Sequence, residues 1–274
     1  MHDPALLIEM TLLLLVIGAV AGVLAGLLGV GGGIVLVPAF YFSFAALGFD
    51  SPSLMQICLG TSLATIIVTG VRSLMLHNRK GAVEWDSLRR WAPGIAVGAV
   101  VGVLVASQLK TTALLMIFGS FAGIVGLYLG FGRDHWRLAS QMPRGPLGWV
   151  LSACLGCLSV VMGIGGGTFG VPLQTLFGVP IHRAVATASG FGVASAVPAV
   201  IGFLTFRLPP GDAPPLTFGA INLAAFGLVI GMTLLTTPYG VRLAHRTDPK
   251  RLKRLFGLFL VLVSLNMLRK ALGW

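Results

Sequence analysis

The chain of 274 residues is 56% hydrophobic and 10% charged, and its mean hydropathy is +0.94. Soluble domains carry about 25% charged residues, so this composition excludes a soluble globular protein. The apolar runs are continuous rather than alternating, which predicts membrane-spanning helices and not a transmembrane β-barrel. The net charge of +11 comes from basic residues in the loops between these runs. The positive-inside rule explains that placement, so the charge does not indicate nucleic-acid binding.

Eight apolar segments follow one another along the chain. They cover residues 6–47, 55–76, 91–108, 112–131, 147–178, 183–206, 216–237 and 253–272. The first is interrupted at 29–38 and the fifth at 163–172, each by glycines, a few apolar residues and a proline. Glycine weakens a helix and proline removes a backbone donor, so both segments are predicted to break. Matching breaks in two halves of a membrane protein indicate a transporter's substrate site.

The two interrupted segments belong to an internal repeat. Six positions recur at a constant offset of 134: Gly22, Gly29, Gly31, Gly32, Gly33 and Pro38 match Gly156, Gly163, Gly165, Gly166, Gly167 and Pro172. Thr61 and Thr187 match at an offset of 126. The pattern predicts a first membrane repeat at 1–132, a cytoplasmic linker at 133–146 and a second membrane repeat at 147–274.

Charge predicts how the repeats are oriented. Basic residues cluster in the loops after the second and seventh segments, at Arg79, Lys80, Arg89 and Arg90 and at Arg242, Arg246, Lys250, Arg251, Lys253 and Arg254. Both loops face the cytoplasm if the broken segments dip in and return to their own side. Each half then has three full crossings, and an odd number inverts the second half. The alternative is a broken helix that does span, because residues 6–28 alone are long enough to cross.

The sequence therefore predicts an all-α polytopic membrane protein. Its two inverted repeats would each contain a Gly-rich broken or re-entrant helix and three spanning helices. Further small residues recur every fourth position and predict close helix packing. These are Gly94, Gly98 and Gly102, Gly119 and Gly123, and Gly227 and Gly231.

The glycine breaks are the first candidates for a substrate site. Successive backbone N–H groups in a glycine turn form a nest that binds anions, and a half-helix starting there adds its positive dipole end. The predicted contacts are Gly31, Gly32, Gly33, Gly165, Gly166 and Gly167. The alternative is a packing kink that binds nothing.

Polar side chains near the breaks are the second group of candidates. They are Thr61, Ser62, Thr65, Arg72, Gln174, His182, Thr187 and Ser189. Thr61, Thr65 and Arg72 share one helical face, and hydroxyls on an inward face can donate to an oxyanion. Two alternatives stay open: a hydroxyl can bond to a carbonyl one turn earlier, and an arginine can extend to the membrane interface.

The residues that are missing narrow the substrate class. All eight acidic residues lie in loops or near segment ends, whereas proton relays and cation sites need buried carboxylates. An anion or a neutral solute remains. No nucleophile, zinc or phosphate-loop motif is present, so no enzymatic activity, metal or cofactor is expected. The expected partners are a small anionic substrate and the lipid bilayer, without nucleic acid, and a homodimer is left open.

Residues 26–38 with their second copy, Gly60-Thr61-Ser62, and the basic loop Asn78–Asp86 resemble the TauE/SafE family of sulfite exporters. The resemblance covers essentially the whole chain. It implies a repeat-built carrier for sulfite, organosulfonates such as sulfoacetate, thiosulfate or related small anions. The second half departs from the pattern at Ala188, where a serine would follow Thr187, and at Phe203, which stands where the first half has His77.

Together these features predict a multi-pass secondary transporter of the cell inner membrane. It would move a small sulfur-containing anion by alternating access, with the substrate between the two breaks. The alternatives are an anion channel and a membrane scaffold that transports nothing.

Overall fold

The structure, a computed structural model, describes residues 4–28, 32–49, 51–131, 138–139, 141–208, 213–244, 246 and 248–273. This part of the chain forms ten α-helices and one two-stranded antiparallel sheet. The elements in order are α1 (Pro4–Leu28), α2 (Gly33–Ala46), α3 (Leu54–Asn78), α4 (Trp85–Gln108), α5 (Thr111–Phe131), α6 (Gly145–Val161), α7 (Gly167–Leu176), α8 (Ile181–Leu204), β1 (Thr217–Phe218), β2 (Ile221–Asn222), α9 (Leu223–Ala244) and α10 (Pro249–Ala271).

Five of the helices in the described ranges are long and apolar enough to cross a membrane. They are α3, α4, α5, α8 and α9, with 18 to 25 qualifying residues each. This confirms the prediction of an all-helical polytopic protein. Each half of the chain contributes five helices in the same order, of which the first two come from one interrupted segment.

The interruptions are shorter than predicted, and the prolines lie outside them. The helices resume at Gly33 and Gly167, so Pro38 and Pro172 are the sixth residues of α2 and α7. The prediction that proline ends each break is therefore wrong. A proline this close to a helix start removes one hydrogen bond and is tolerated by its neighbours in a packed membrane protein.

Glycine conformation produces the breaks instead. Gly32 precedes α2 with φ at +80°, and Gly163 and Gly165 precede α7 with φ at +64° and +67°. Residues with a Cβ rarely adopt this left-handed region. The turns therefore depend on the glycines themselves.

The seventh apolar segment also differs from the prediction. Its first residues, predicted as helix from 216, form the β1–β2 hairpin, and α9 starts at Leu223 and continues to Ala244. Gly219 takes the hairpin turn with φ at +57°. The side chain of Asn222 accepts a hydrogen bond from the backbone N–H of Ala225 at 2.9 Å, which caps α9.

The first helix of each half packs parallel to the fourth helix of the other half. The contacts step along both helices in one direction: α1 meets α9 at Gly18–Val229, Gly22–Thr233 and Gly26–Thr237. The pair α4 and α6 repeats this arrangement at Gly94–Ser152, Gly98–Ala153 and Gly102–Cys157. Small residues let these helix backbones approach closely, as predicted for the glycines of α4.

The third and fifth helices pair with their own counterparts and run antiparallel. Helices α3 and α8 meet at Gly60–Phe203 and at Gly70–Val193. Helices α5 and α10 meet at Gly119–Leu268, Gly123–Ser264 and Gly126–Leu260, which confirms the prediction for the glycines of α5.

The small-residue prediction fails on α9. Among the described residues, nothing lies within 4 Å of a Cβ built on Gly227 or Gly231, and both glycines are exposed. The spacing alone does not distinguish a helix face that meets a neighbour from one that does not, because both satisfy the same period.

The short helices α2 and α7 each turn back toward the end from which their segment entered. Gly33, at the start of α2, lies beside Ile66 in the middle of α3, and α2 ends shortly before α3 begins. Gly166, just before α7, lies beside Phe191 in the middle of α8, and α7 ends shortly before α8 begins. Because α3 and α8 are antiparallel, the two helix pairs enter the bundle from opposite ends.

The same contacts place the basic loops. Thr61, near the start of α3, bonds to Asn222, just before α9, and His77, near the end of α3, lies 3.1 Å from the carbonyl of Gly26. Gly26 in turn contacts Thr237 in the second half of α9. Helices α3 and α9 are therefore parallel, and the basic loops that follow them lie at the same end of the bundle, as the charge argument requires.

Candidate functional site

The two breaks meet at the centre of the molecule. A Cβ built on Gly33 would lie 2.7 Å from the Cα of Ile164 and 2.8 Å from the carbonyl oxygen of Gly163. A Cβ built on Gly163 would in turn lie 2.9 Å from the side chain of Val37 of α2 and 2.6 Å from that of Leu59 of α3. All of these residues are buried. Chain segments 130 residues apart in sequence are thus in direct backbone contact.

Two helix N-termini lie at this meeting point. Helix α2 starts at Gly33 and α7 at Gly167, and they run from the middle of the bundle toward opposite ends. The first N–H groups of a helix have no partner within it, and its dipole is positive there. Two such ends near each other form an environment that favours negative charge without any cationic side chain.

The predicted glycines assemble at this point, apart from Gly31, which lies outside the described residues. Gly32 packs against the backbone of Ala21, two turns before the end of α1. The backbone N–H of Gly166 donates to Ser195 of α8 at 3.1 Å. Gly165 lies against the side chain of Ile66, and Gly167 begins α7.

Aliphatic side chains lie against the glycines of both breaks. Ile66 contacts both Gly33 and Gly165, while Leu59 and Val37 cover Gly163. Since Gly33 also contacts Gly163 and Ile164, the two breaks touch one another in this conformation.

Ser62 links α3 to the second break. Its hydroxyl donates to the carbonyl oxygen of Gly163 at 2.7 Å, and the residue is fully buried. Thr65, on the neighbouring turn, donates to the carbonyl of Thr61 at 3.0 Å. This is the local back-bonding that was the alternative to a binding role. The position in the second half that matches Ser62 is Ala188, which has no hydroxyl, so the second half cannot make the equivalent hydrogen bond to the first break.

Thr61 and Thr187 make equivalent contacts at opposite ends of the bundle. The hydroxyl of Thr61 accepts from the backbone N–H of Asn222, directly before α9, at 2.9 Å. The hydroxyl of Thr187 accepts from the backbone N–H of Glu84, directly before α4, also at 2.9 Å. Each threonine thus holds the start of a helix from the other half. We name these two contacts the threonine contacts.

The Thr187 contact is reinforced by charge. The guanidinium of Arg183, one turn earlier on α8, forms an ion pair with the carboxylate of Glu84 at 3.0 Å. The side chains are 57% and 30% exposed, so solvent screens the pair and its contribution is small. Glu84 was not among the sequence candidates, because a glutamate in a basic loop carries no signal of its own.

The remaining candidates are not all brought to the breaks. Arg72 and His182 are exposed, near the end of α3 and at the start of α8. Ser189 is buried, with its hydroxyl 3.0 Å from that of Ser73. The amide nitrogen of Gln174 donates to the carbonyls of Gly170 and Ala184, and its buried side-chain oxygen has no partner in the described part of the chain.

One polar residue at the breaks was missed from the sequence. Thr168 is the second residue of α7, is 4% exposed, and its hydroxyl has no hydrogen-bond partner among the described residues. The available signal was its position directly after the second triple glycine, where the first copy has Ile34.

Other site types find little support in the ranges that the structure covers. No group of three or more histidine, cysteine, aspartate or glutamate side chains there could hold a metal ion. A surface groove of about 320 Å³ lies between the final turns of α4 and α8, lined by residues that include Val103, Gly202 and Arg207. It is separate from the breaks.

The long apolar helices define a multi-pass membrane protein, and its two interrupted segments meet at the centre. Residues 14–267 match the family described as Sulfite exporter TauE/SafE. Because this match covers most of the chain, the protein belongs to the TauE/SafE family. It is a membrane transporter family, so the protein is not an enzyme.

Similar proteins extend over nearly the same length. A "Probable membrane transporter protein" of Haemophilus influenzae is 30% identical over 94% of this chain and 98% of its own. A protein with the same description from Methanocaldococcus jannaschii is 24% identical over 93% of this chain and 94% of its own. The Bacillus subtilis protein YunE, also described so, is 28% identical over 64% of this chain and 71% of its own. No solved structure matches significantly.

Proposed function

We propose that this protein is a secondary transporter of the inner membrane that moves a small sulfur-containing anion by alternating access. The substrate binds between the two breaks. The observation that carries the proposal is the contact of Gly33 with Gly163 and Ile164, because it brings the N-termini of α2 and α7 together at the middle of the bundle. Interrupted helices meeting at mid-depth form the substrate sites of other transporter folds.

The direction of the helices supports an inverted repeat. Helices α1, α3 and α9 run one way, whereas α4, α6 and α8 run the other, so each second-half helix in this set opposes its counterpart. The halves 1–132 and 147–274 would then be related by a pseudo-two-fold axis in the membrane plane. Such symmetry gives a carrier two nearly equivalent conformations that open to opposite sides. Residues 133–146 would form the cytoplasmic linker.

The choice of an anion rests on chemistry and on the family. Helix N-termini favour negative charge. The five candidate spans contain one carboxylate, Asp86, in the first turn of α4. The family description names sulfite export. Sulfite carries several oxygens, which can accept hydrogen bonds from the N–H groups in the first turns of α2 and α7.

The side chains then take two kinds of role. The proposed substrate contacts are the glycines of the breaks together with neighbouring donors. Thr61 and Thr187, expected from the sequence as substrate donors, are assigned in this proposal to holding α9 and α4, because their hydroxyls accept backbone N–H groups at 2.9 Å. Exposed Arg72 would attract anions from the cytoplasmic surface without touching the bound substrate.

The close packing at the breaks indicates a closed conformation. Gly33 and Gly163 are in contact, and the side chains of Ile66, Leu59 and Val37 pack against the glycines. Substrate binding therefore requires the tips of the two broken segments to separate. A channel would need a continuous path through this point, whereas a carrier needs it to open from one side at a time. The packing therefore favours the carrier over the channel.

The test is sulfite transport by purified protein in proteoliposomes. A carrier is expected to show saturable uptake and counterflow, in which sulfite inside the vesicles accelerates entry of labelled sulfite. A channel would give flux without counterflow, and a scaffold would give none. Thermal unfolding with sulfite, thiosulfate, sulfoacetate, sulfate and taurine compares the candidate substrates, since a bound ligand raises the unfolding temperature.

A further inference from the structure

The second break carries a buried hydroxyl that the fold leaves unused. Thr168 lies in the first turn of α7 and is 4% exposed, and its hydroxyl oxygen has no hydrogen-bond partner in the described part of the chain. Burying a hydroxyl without a partner costs free energy. Threonine in a helix can avoid that cost by bonding to the carbonyl one turn earlier, and Thr168 does not.

Neighbouring hydroxyls behave differently. Ser62 donates to Gly163, Thr65 donates to Thr61, and Ser195 donates to Gly192 while accepting from the N–H of Gly166. Each of these side chains completes a structural contact. Thr168 stands apart from them at the same depth of the bundle.

The hydroxyl shares its location with backbone donors that have no partner within their helix. The first bond back to the start of α7 is made by Gly170, whose N–H donates to the carbonyl of Gly166 at 2.8 Å. The N–H groups of Gly167, Thr168 and Phe169 therefore have no partner within the helix. The hydroxyl of Thr168 adds a fourth donor to this positive helix end.

Helix geometry directs this side chain away from α8. Gly166 and Gly170 both lie against Phe191 of α8. At about 100° per residue, Thr168 is rotated by roughly 200° from each of them. Its hydroxyl is thus on the side of α7 opposite α8.

The first break does not offer the same group. Helix α2 has Ile34 at the position that matches Thr168, and Ile34 is buried with 1% exposure. The two helix ends supply similar backbone donors, but only α7 adds a side-chain donor in its first turn.

We propose that Thr168 donates its hydroxyl to an oxygen of the bound oxyanion, so that α7 holds the substrate and α2 closes over it with backbone and an aliphatic side chain. This inference rests on the proposed function. It makes the site asymmetric within a repeated fold, and it adds one named side chain to the backbone donors that contact the substrate.

The experiment replaces Thr168 by valine and by serine and measures sulfite uptake in proteoliposomes and sulfite-dependent thermal unfolding in detergent. Thr168→Val is expected to raise the KM for sulfite at least tenfold and to abolish the stabilisation by sulfite. Thr168→Ser keeps the hydroxyl and should stay within about threefold of the parent protein. Thr175→Val on the same helix is the matched control, because that hydroxyl donates to the carbonyl of Pro172 at 2.8 Å.

A second readout separates binding from structure. Because the hydroxyl of Thr168 has no partner among the described residues to lose, the unfolding temperature of Thr168→Val without sulfite should equal or exceed that of the parent protein. A lower temperature would reveal a structural role and overturn the inference. An unchanged KM in a transporting Thr168→Val variant would overturn the inference alone, whereas a parent protein that neither transports nor binds sulfite would overturn the proposed function as well.

Discussion

At the residue scale, the glycines at the two breaks serve different physical purposes. Gly32, Gly163 and Gly165 have positive φ angles, so they supply backbone conformations that other residues rarely adopt. Gly33 is helical and needs no special angle, but the backbone of the other break occupies the space where its Cβ would be. One triple glycine thus combines a conformational requirement with a steric one.

Gly33→Ala tests the steric requirement. The added Cβ would lie 2.7 Å from the Cα of Ile164 and 2.8 Å from the carbonyl oxygen of Gly163, and backbone atoms cannot rotate away as a side chain can. We expect destabilisation of roughly 1–3 kcal/mol, measured as a lower unfolding temperature in detergent, with loss of transport. Gly227→Ala is the control, because no described residue lies within 4 Å of its added Cβ and alanine favours helix. Equal stability of both variants would contradict the contact between the breaks.

At the element scale, the threonine contacts join the two halves at opposite ends of the bundle. Thr61 holds the start of α9 near one end, and Thr187 holds the start of α4 near the other. Both contacts are made in this structure. If the halves alternate between two open states, one threonine contact must weaken in each.

Removing each threonine hydroxyl should therefore favour opening at its own end. A hydrogen bond contributes about 1 kcal/mol, which corresponds to roughly a fivefold change in the population of an open state. We expect Thr61→Val to increase thiol labelling of a cysteine at Phe203, which lies beside Gly60, and Thr187→Val to increase labelling at Leu88, which lies beside Gly190.

The labelling requires a background without the native cysteines Cys58, Cys154 and Cys157. Each valine variant is tested with both reporter positions, so that every variant has an internal control at the opposite end. An equal increase at both positions, or none at either, would argue against separate contacts that govern the two ends.

At the scale of the whole molecule, the charge distribution agrees with the packing of the helices. The loops after α3 and α9 lie at one end of the bundle, and both are rich in basic residues. The β1–β2 hairpin and the loop between α4 and α5 lie at the other end, since Thr61 near the start of α3 contacts Asn222 and Gln56 contacts Leu109. From the positive-inside rule we expect the basic end to face the cytoplasm.

Impermeant thiol reagents can check this orientation. A cysteine at Lys80 should be labelled from the cytoplasmic side and a cysteine at Phe218 from the outer side, because both residues are exposed at opposite ends of the bundle. The measurement compares right-side-out with inside-out membrane vesicles, again without native cysteines. Labelling of both positions from one side would contradict the placement of the basic loop after α3 and the β1–β2 hairpin at opposite ends of the bundle.

The sequence by itself determined the membrane class, most of the long helices and the positions of the two breaks. Run length and glycine content act locally, so they can be interpreted without knowing what lies nearby. The extent of each break was misjudged because a proline early in a helix costs little once neighbours pack around it, and the start of α9 was misjudged because apolar residues also suit a hairpin.

Only the tertiary structure decided what each side chain contacts. The hydroxyl of Thr61 faces a backbone N–H 161 residues away, and that of Thr187 faces one 103 residues away. No local pattern specifies such partners, because they depend on the direction in which helices from the two halves pass each other. The hydroxyl of Thr168, which has no partner in the described part of the chain, emerged for the same reason, because a missing partner shows only when the surrounding side chains are in place.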